Sequence, residues 1–70
     1  MTFIDKIMAY ENGELNGKEV VELFAELIET GQAWALQGSY GRVATNLINR
    51  GLISKQGKVN WIRFQELSTQ

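Results

Sequence analysis

Four glutamates at helical spacing are the residues of this chain best placed to contact a partner. They are Glu19, Glu22, Glu26 and Glu29. Steps of three, four and three residues bring them to one side of a helix, where like charges cost about 0.2–0.5 kcal/mol per pair. A basic partner would relieve that cost, so the row predicts a recognition surface for a basic protein patch. A solvated helix face and an acidic metal site are the alternatives, and no calcium-type loop accompanies the row.

A second candidate site surrounds two closely spaced glycines. Its residues are Trp34, Tyr40, Gly41 and Arg42, with Gly38 and Ser39 between them. Glycines beside a helix start expose backbone N–H groups to an anion, and an arginine adds a forked donor. No Lys-Ser/Thr pair follows, so a phosphate loop is not indicated. The alternative is a structural corner, in which the glycines permit a tight turn and the aromatic rings orient the helices.

A third candidate site lies in the basic C-terminal half. The predicted order of helix, connector, helix and basic turn resembles the helix-turn-helix plus wing of many transcription regulators. Side chains that would contact a groove or phosphates are Asn46, Arg50, Lys55, Lys58 and Arg63. Five basic residues are few for a DNA-binding protein, and the glutamate row would be repelled by the same duplex.

The charge of the chain changes sign at Gly31. Residues 1–31 hold seven acidic residues against two lysines, for a net charge of −5, whereas residues 32–70 hold five basic residues against one glutamate, for +4. Such asymmetry is informative about partners rather than about fold. It favours a protein partner, and it also suits a homo-oligomer in which acidic and basic halves meet.

The composition excludes the commonest catalytic groups. With neither cysteine nor histidine, the chain lacks a thiol nucleophile, thiolate and imidazole metal ligands, and the usual general base near neutral pH. We therefore expect no enzyme activity, no metal and no cofactor. The longest apolar runs are too short for a membrane helix, and the N-terminus has no basic segment leading into an apolar one. A soluble, cytoplasmic, unprocessed protein is expected.

The helical pattern predicts one small domain over residues 1–70, mainly helical, with three helices. Thr2 caps the first helix, which ends before Asn12-Gly13, and Asn16 caps the second, which ends at Gly31. Both helices carry an apolar face at helical spacing. In the first it consists of Phe3, Ile4, Ile7 and Met8, and in the second of Val20, Val21, Phe24, Leu27 and Ile28.

The second half of the chain is predicted in less regular pieces. Residues 32–38 form a helical turn or a connector, with Trp34 and Leu36 packed into the core, and Ser39 caps the third helix, which runs to about Asn49. Beyond Gly51, two β-prone runs around a turn at residues 55–58 predict a short hairpin of winged-helix type. Residues 62–67 form an extra strand or a helical turn, and residues 68–70 fray. Four aromatic residues are expected in or beside the core rather than stacked on bases: Tyr10, Trp34, Trp61 and Phe64.

The segment from Trp34 to Arg42, Trp-x-Leu-Gln-Gly-x-Tyr-Gly-Arg, carries a resemblance to a known family. With its flanking helices, over roughly residues 4–53, it resembles a group of short tailed-bacteriophage proteins classed as a domain of unknown function. The resemblance implies an infected bacterial cytoplasm and no particular activity. Small accessory phage proteins commonly redirect a host component, so the expected function is non-catalytic binding of a host bacterial protein to modulate or inhibit it. A minimal winged-helix DNA-binding protein is the alternative.

Overall fold

The computed structural model describes residues 2–36 and 38–68, which form a mainly helical fold of five helices. They are α1 (Phe3–Glu11), α2 (Gly17–Glu29), α3 (Gln32–Ala35), α4 (Gly38–Asn49) and α5 (Trp61–Ser68). The mainly helical prediction is confirmed, and the count of three helices is corrected by the short α3 and α5. Of residues 68–70, which were predicted to fray, Ser68 is instead the last residue of α5, and Thr69 and Gln70 lie outside the described residues.

Two capping boxes confirm the predicted starts of α1 and α2. The Thr2 hydroxyl accepts a hydrogen bond from the backbone N of Asp5 at 3.2 Å, and the Asp5 carboxylate accepts one from the backbone N of Thr2 at 3.3 Å. Asn16 and Glu19 make the same reciprocal pair at 2.8 and 3.0 Å. Each box satisfies backbone N–H groups that a helix start leaves unpaired, so both starts are specified locally.

The core is built around α2, which packs against α1, α3 and α4. Leu23, Phe24 and Leu27 are fully buried. The Phe24 ring lies 5.3 Å from the Tyr10 ring of α1 and 6.0 Å from the Tyr40 ring of α4, measured between centroids. This aromatic cluster joins three helices, and Tyr10 is thereby at the edge of the core as expected.

The segment between α2 and α4 is helical, but the residues that pack it against the core are not the ones predicted. Trp34 and Leu36 are 54% and 37% exposed, so their predicted burial is wrong, and the small Ala33 is the residue of α3 that is buried. α3 contacts α4 at Gly41, where an added Cβ would lie at an ordinary van der Waals distance of 3.6 Å from the Ala33 carbonyl oxygen.

The start of α4 differs slightly from the prediction. The helix begins at Gly38, so Ser39 lies in its first turn instead of preceding it as a cap. Its end agrees with the prediction, since Asn49 is the last helical residue and Gly51 follows with a φ of +76°.

The C-terminal hairpin is not confirmed, since residues 38–68 contain no strand and only an isolated antiparallel bridge between Ile53 and Val59. The backbone N of Ser54 donates to the Lys58 carbonyl at 2.8 Å and closes the intervening turn. The backbone N of Asn60 donates to the Leu52 carbonyl at 2.8 Å. Pairing ends beyond this bond, where the Asn60 side chain accepts from the backbone N of Arg63 at 3.0 Å and caps α5. The helical alternative for residues 62–67 is the one observed.

The turn at residues 54–58 docks directly on α2 through Gly57. This glycine is buried with a φ of +89°, and a Cβ placed on it would lie 2.6 Å from the Ala25 carbonyl oxygen and 2.8 Å from the Glu29 Cβ. Only a residue without a side chain fits at that distance and that backbone conformation. The contact fixes the basic turn beside the C-terminal end of α2.

Side chains attach α5 to the rest of the fold. Phe64 lies against the start of α2, 3.9 Å from where a Cβ on Gly17 would be. Arg63 donates through Nε to the main-chain oxygen of Arg50 at 3.2 Å. Trp61 is 39% exposed, so of the two aromatic residues of α5, Phe64 packs against the core and Trp61 departs from its expected burial.

Candidate interaction surfaces

The four glutamates of α2 form an acidic ridge, the name used below for Glu19, Glu22, Glu26 and Glu29. Glu26 is half-buried and the other three are exposed. Since α2 buries its opposite side in the core and is capped at Asn16, the ridge is carried on a rigid element. The four glutamates therefore lie on one side of α2, as their spacing predicts.

Lys6 of α1 reaches the acidic ridge from outside α2. Its Nζ lies 3.8 Å from Glu26 Oε2. Both side chains are about 40% exposed, and exposed pairs of this kind contribute about 0–1 kcal/mol. Spacing within α2 carried no signal for this pair, because it depends on how α1 packs against α2.

The remaining glutamates of the ridge border the C-terminal segment without pairing to it. Glu22 lines a shallow groove of about 420 Å³ with Lys18, Trp61, Phe64 and Gln65, and the Cβ of Glu29 lies beside Gly57. Over residues 2–36 and 38–68 the ion pairs are Lys6–Glu26 and Arg63–Glu66. Neither joins the ridge to the basic half, so the charges of Glu19, Glu22 and Glu29 are not offset by an ion pair.

The predicted corner or anion site is occupied largely by packing contacts. Tyr40 is buried, and burial together with the charge of Glu11 raises the pKa of its phenol above the ordinary value of 10.0. The Trp34 indole lies over Gly41, with Cε3 at 3.7 Å from where a Cβ would be. Arg42 and Trp34 are exposed, so both side chains can contact a ligand, while Gln37 within the same segment lies outside the described residues.

The basic residues of the third candidate site fall into two neighbouring groups. Asn46 and Arg50 line a shallow pocket of about 190 Å³ on α4, and Arg63 is held beside them by its hydrogen bond to the Arg50 carbonyl. Lys55 and Lys58 instead line a wider depression on the far side of the turn.

That depression is an open groove of about 640 Å³, called the basic groove below. It lies between the end of α4, the turn and the start of α5. Buried Ile53 and half-buried Val59 line it, together with Trp61 and with Ile62, which is 75% exposed. Sequence reasoning missed this surface because it forms only when the turn docks on α2 and α5 follows.

A second apolar surface was also missed, on α1. Phe3 and Ile7 pack against the core as expected, but Ile4 and Met8 are 68% and 57% exposed. Successive helical residues are rotated by about 100°, so four apolar positions cover a wider arc than the contact with α2 can bury. The sequence signal was the width of that arc.

The described residues contain neither a metal-binding cluster nor a membrane-spanning helix. Among residues 2–36 and 38–68, no group of three or more carboxylates is arranged to hold a metal ion. In the same part of the chain, no helix is long and apolar enough to cross a membrane.

These features define a small helical domain. Its distinctive surfaces are the acidic ridge, the basic groove and an exposed apolar strip formed by Ile4 and Met8. The family model described as a domain of unknown function (DUF7417) matches residues 1–68, and the chain belongs to that family. No curated protein and no solved structure matches the chain.

Proposed function

We propose that this domain is a non-catalytic phage accessory protein that binds a host bacterial protein through the acidic ridge and thereby modulates or inhibits it in the infected cytoplasm. The observation that carries the proposal is the absence, over residues 2–36 and 38–68, of any ion pair between the ridge and the basic half. The charges of Glu19, Glu22 and Glu29 therefore remain available to a basic surface.

The support of the ridge by α2 also favours binding. A helix fixed by its core face and its capping box holds the carboxylates in place before a partner arrives, which lowers the ordering cost of association. Complementary charge accelerates encounter and disfavours partners of the wrong sign. The resemblance of Trp34–Arg42 to tailed-phage proteins supports the host setting of the proposal.

Affinity capture from bacterial lysate tests the proposal. We expect the wild-type chain to enrich a host protein that Glu22→Lys no longer retains, because Glu22 is exposed and its reversal leaves the capping box and the Lys6–Glu26 pair intact. Glu14→Lys is the matched control, since it makes the same charge change at an exposed position outside α2. Equal recovery of the same proteins by all three chains would refute the proposed surface.

Duplex DNA binding is the second candidate function, and one contact favours it. The Arg63 hydrogen bond to the Arg50 carbonyl holds two guanidinium-bearing residues side by side, one helical turn from Asn46. Lys55 and Lys58 add charge in the neighbouring turn.

Fluorescence anisotropy with labelled duplex tests this second function. Binding should weaken steeply as salt rises, and Arg50→Ala should lower the slope of log affinity against log salt by about 1 for one lost phosphate contact. Absence of binding at low salt would eliminate DNA as the partner.

A further inference from the structure

We propose that the chain self-associates head to tail, with the exposed apolar strip of α1 on one copy docking in the basic groove of the next. The strip consists of Ile4 and Met8, flanked by the exposed acidic residues Asp5 and Glu11. This inference is independent of the host-binding function, because it uses neither the acidic ridge nor Arg50.

The basic groove has the composition of a docking site rather than of a solvated turn. Its volume is about 640 Å³, and its lining combines apolar surface from Val59, Trp61 and Ile62 with two lysines and no acidic residue. Ile62 is 75% exposed, and removal of such an apolar side chain from water is favourable. The groove therefore favours an occupant that is apolar at its centre and acidic at its edges.

The strip on α1 meets that description. Ile4 and Met8 lie one helical turn apart and are 68% and 57% exposed. The basic residue of α1, Lys6, is turned away from this strip towards Glu26 of α2. Asp5 and Glu11 thus leave the exposed side of α1 acidic, opposite in sign to Lys55 and Lys58.

The geometry determines the kind of assembly. The strip and the basic groove consist of different residues on different elements, so the contact is heterologous and each copy retains one unused surface of each kind. The assembly should therefore grow with protein concentration as a ring or an open chain instead of stopping at a two-fold dimer.

Analytical ultracentrifugation of the purified chain, free of nucleic acid, tests the proposal. At 0.01 M salt, where the Debye screening length is about 30 Å, the average mass should rise with protein concentration beyond that of a dimer. At about 1 M salt, where that distance falls to about 3 Å, association should weaken. A monomer at every concentration, or a mass that stops at the dimer, would overturn the proposal.

Two substitutions of opposite charge at exposed positions test whether the strip and the basic groove are the surfaces that meet. Ile4→Lys sets a positive charge against Lys55 and Lys58, and Ile62→Glu sets a negative charge against Asp5 and Glu11. For each variant alone, the association constant should fall by at least about tenfold. An equimolar mixture should recover it, because the unmutated strip of the Ile62→Glu chain can dock in the unmutated basic groove of the Ile4→Lys chain. In the reciprocal contact, Lys at position 4 meets Glu at position 62.

The control is Ser39→Lys, an exposed position in the first turn of α4, at the opposite end of that helix from the groove. It should associate as the wild type does, and circular dichroism should show all three variants folded. Failure of the mixture to associate, or an equal loss in Ser39→Lys, would refute the pairing of these two surfaces.

Discussion

Gly57 is the residue at which the basic turn and α2 approach each other most closely. A side chain there would meet the backbone of Ala25 and Glu29 at 2.6 and 2.8 Å, and its φ of +89° disfavours any other residue. The position of the turn, and with it the basic groove, depends on this contact. Gly57 is therefore a structural requirement for one of the surfaces described above.

Gly57→Ala should lower the free energy of unfolding by about 3 kcal/mol or more, since it combines backbone strain with an overpacked contact. Gly13→Ala is the matched control: Gly13 has a φ of +74° with nothing within 4 Å of its Cβ position, so it should cost about 1–2 kcal/mol from strain alone. Urea unfolding of both variants measures the difference. Equal costs would contradict the close contact with α2.

Ionisation of the Tyr40 phenol makes the stability of the fold vary with pH in the alkaline range. Burial, and then the charges of Glu11 and Tyr10, raise the pKa of its phenol in the folded chain above the ordinary 10.0. The folded state therefore holds the proton more tightly than the unfolded state does. This contribution to stability is complete below pH 10.0 and is lost as the pH rises through the folded-state pKa.

The predicted result is that Tyr40→Phe loses less stability than the wild type between pH 9 and pH 11, about one unit either side of the ordinary value. Chemical unfolding at a series of pH values measures both chains, and the difference between them isolates the contribution of Tyr40. Parallel curves would show that the phenol is not held in its neutral form by the fold.

The helices differ in how far local sequence determines them. The starts of α1 and α2 follow from Thr2 and Asn16 with their carboxylate partners, and each start lies within four consecutive residues. The structure of residues 52–68 does not follow from local pattern, because β-prone runs at 52–54 and 59–61 compete with a cap. Asn60 decides the outcome by accepting from Arg63 and starting α5.

Asn60→Ala should remove that cap and destabilise α5 by about 1 kcal/mol. The amides of α5 should then exchange with solvent about fivefold faster, with smaller changes in the core of α2. Asn46→Ala is the control, since Asn46 is an exposed residue within α4 and alanine is well tolerated there. Unchanged exchange in α5 would show that its packing, not its cap, maintains it.

On the scale of the whole molecule, the charge asymmetry was visible in the sequence and its spatial consequences were not. Counting residues gave the two halves, and helical spacing gave the common side of the acidic ridge. The Lys6–Glu26 pair and the basic groove depend on how distant segments pack, for which the sequence holds no local signal. The exposure of Ile4 and Trp34 could not be predicted from the sequence either, because tertiary packing decides which apolar residues of a broad face are buried.

The folded arrangement also changes how the two charged halves are understood. They are not remote poles, since the basic turn rests on α2 beside Glu29. Within the described residues they nevertheless form no ion pair with each other. The acidic ridge therefore remains open to a basic partner even though the basic turn lies beside it.

The affinity of the captured host protein for three forms of this chain is the most direct test of the central claim. Isothermal titration should give a dissociation constant at least about tenfold weaker for Glu22→Lys than for the wild type, a loss of about 1.4 kcal/mol. Glu14→Lys should bind within about twofold of the wild type, because a change in net charge alone has little effect at physiological salt. Equal affinity of Glu22→Lys and the wild type would contradict binding through the acidic ridge.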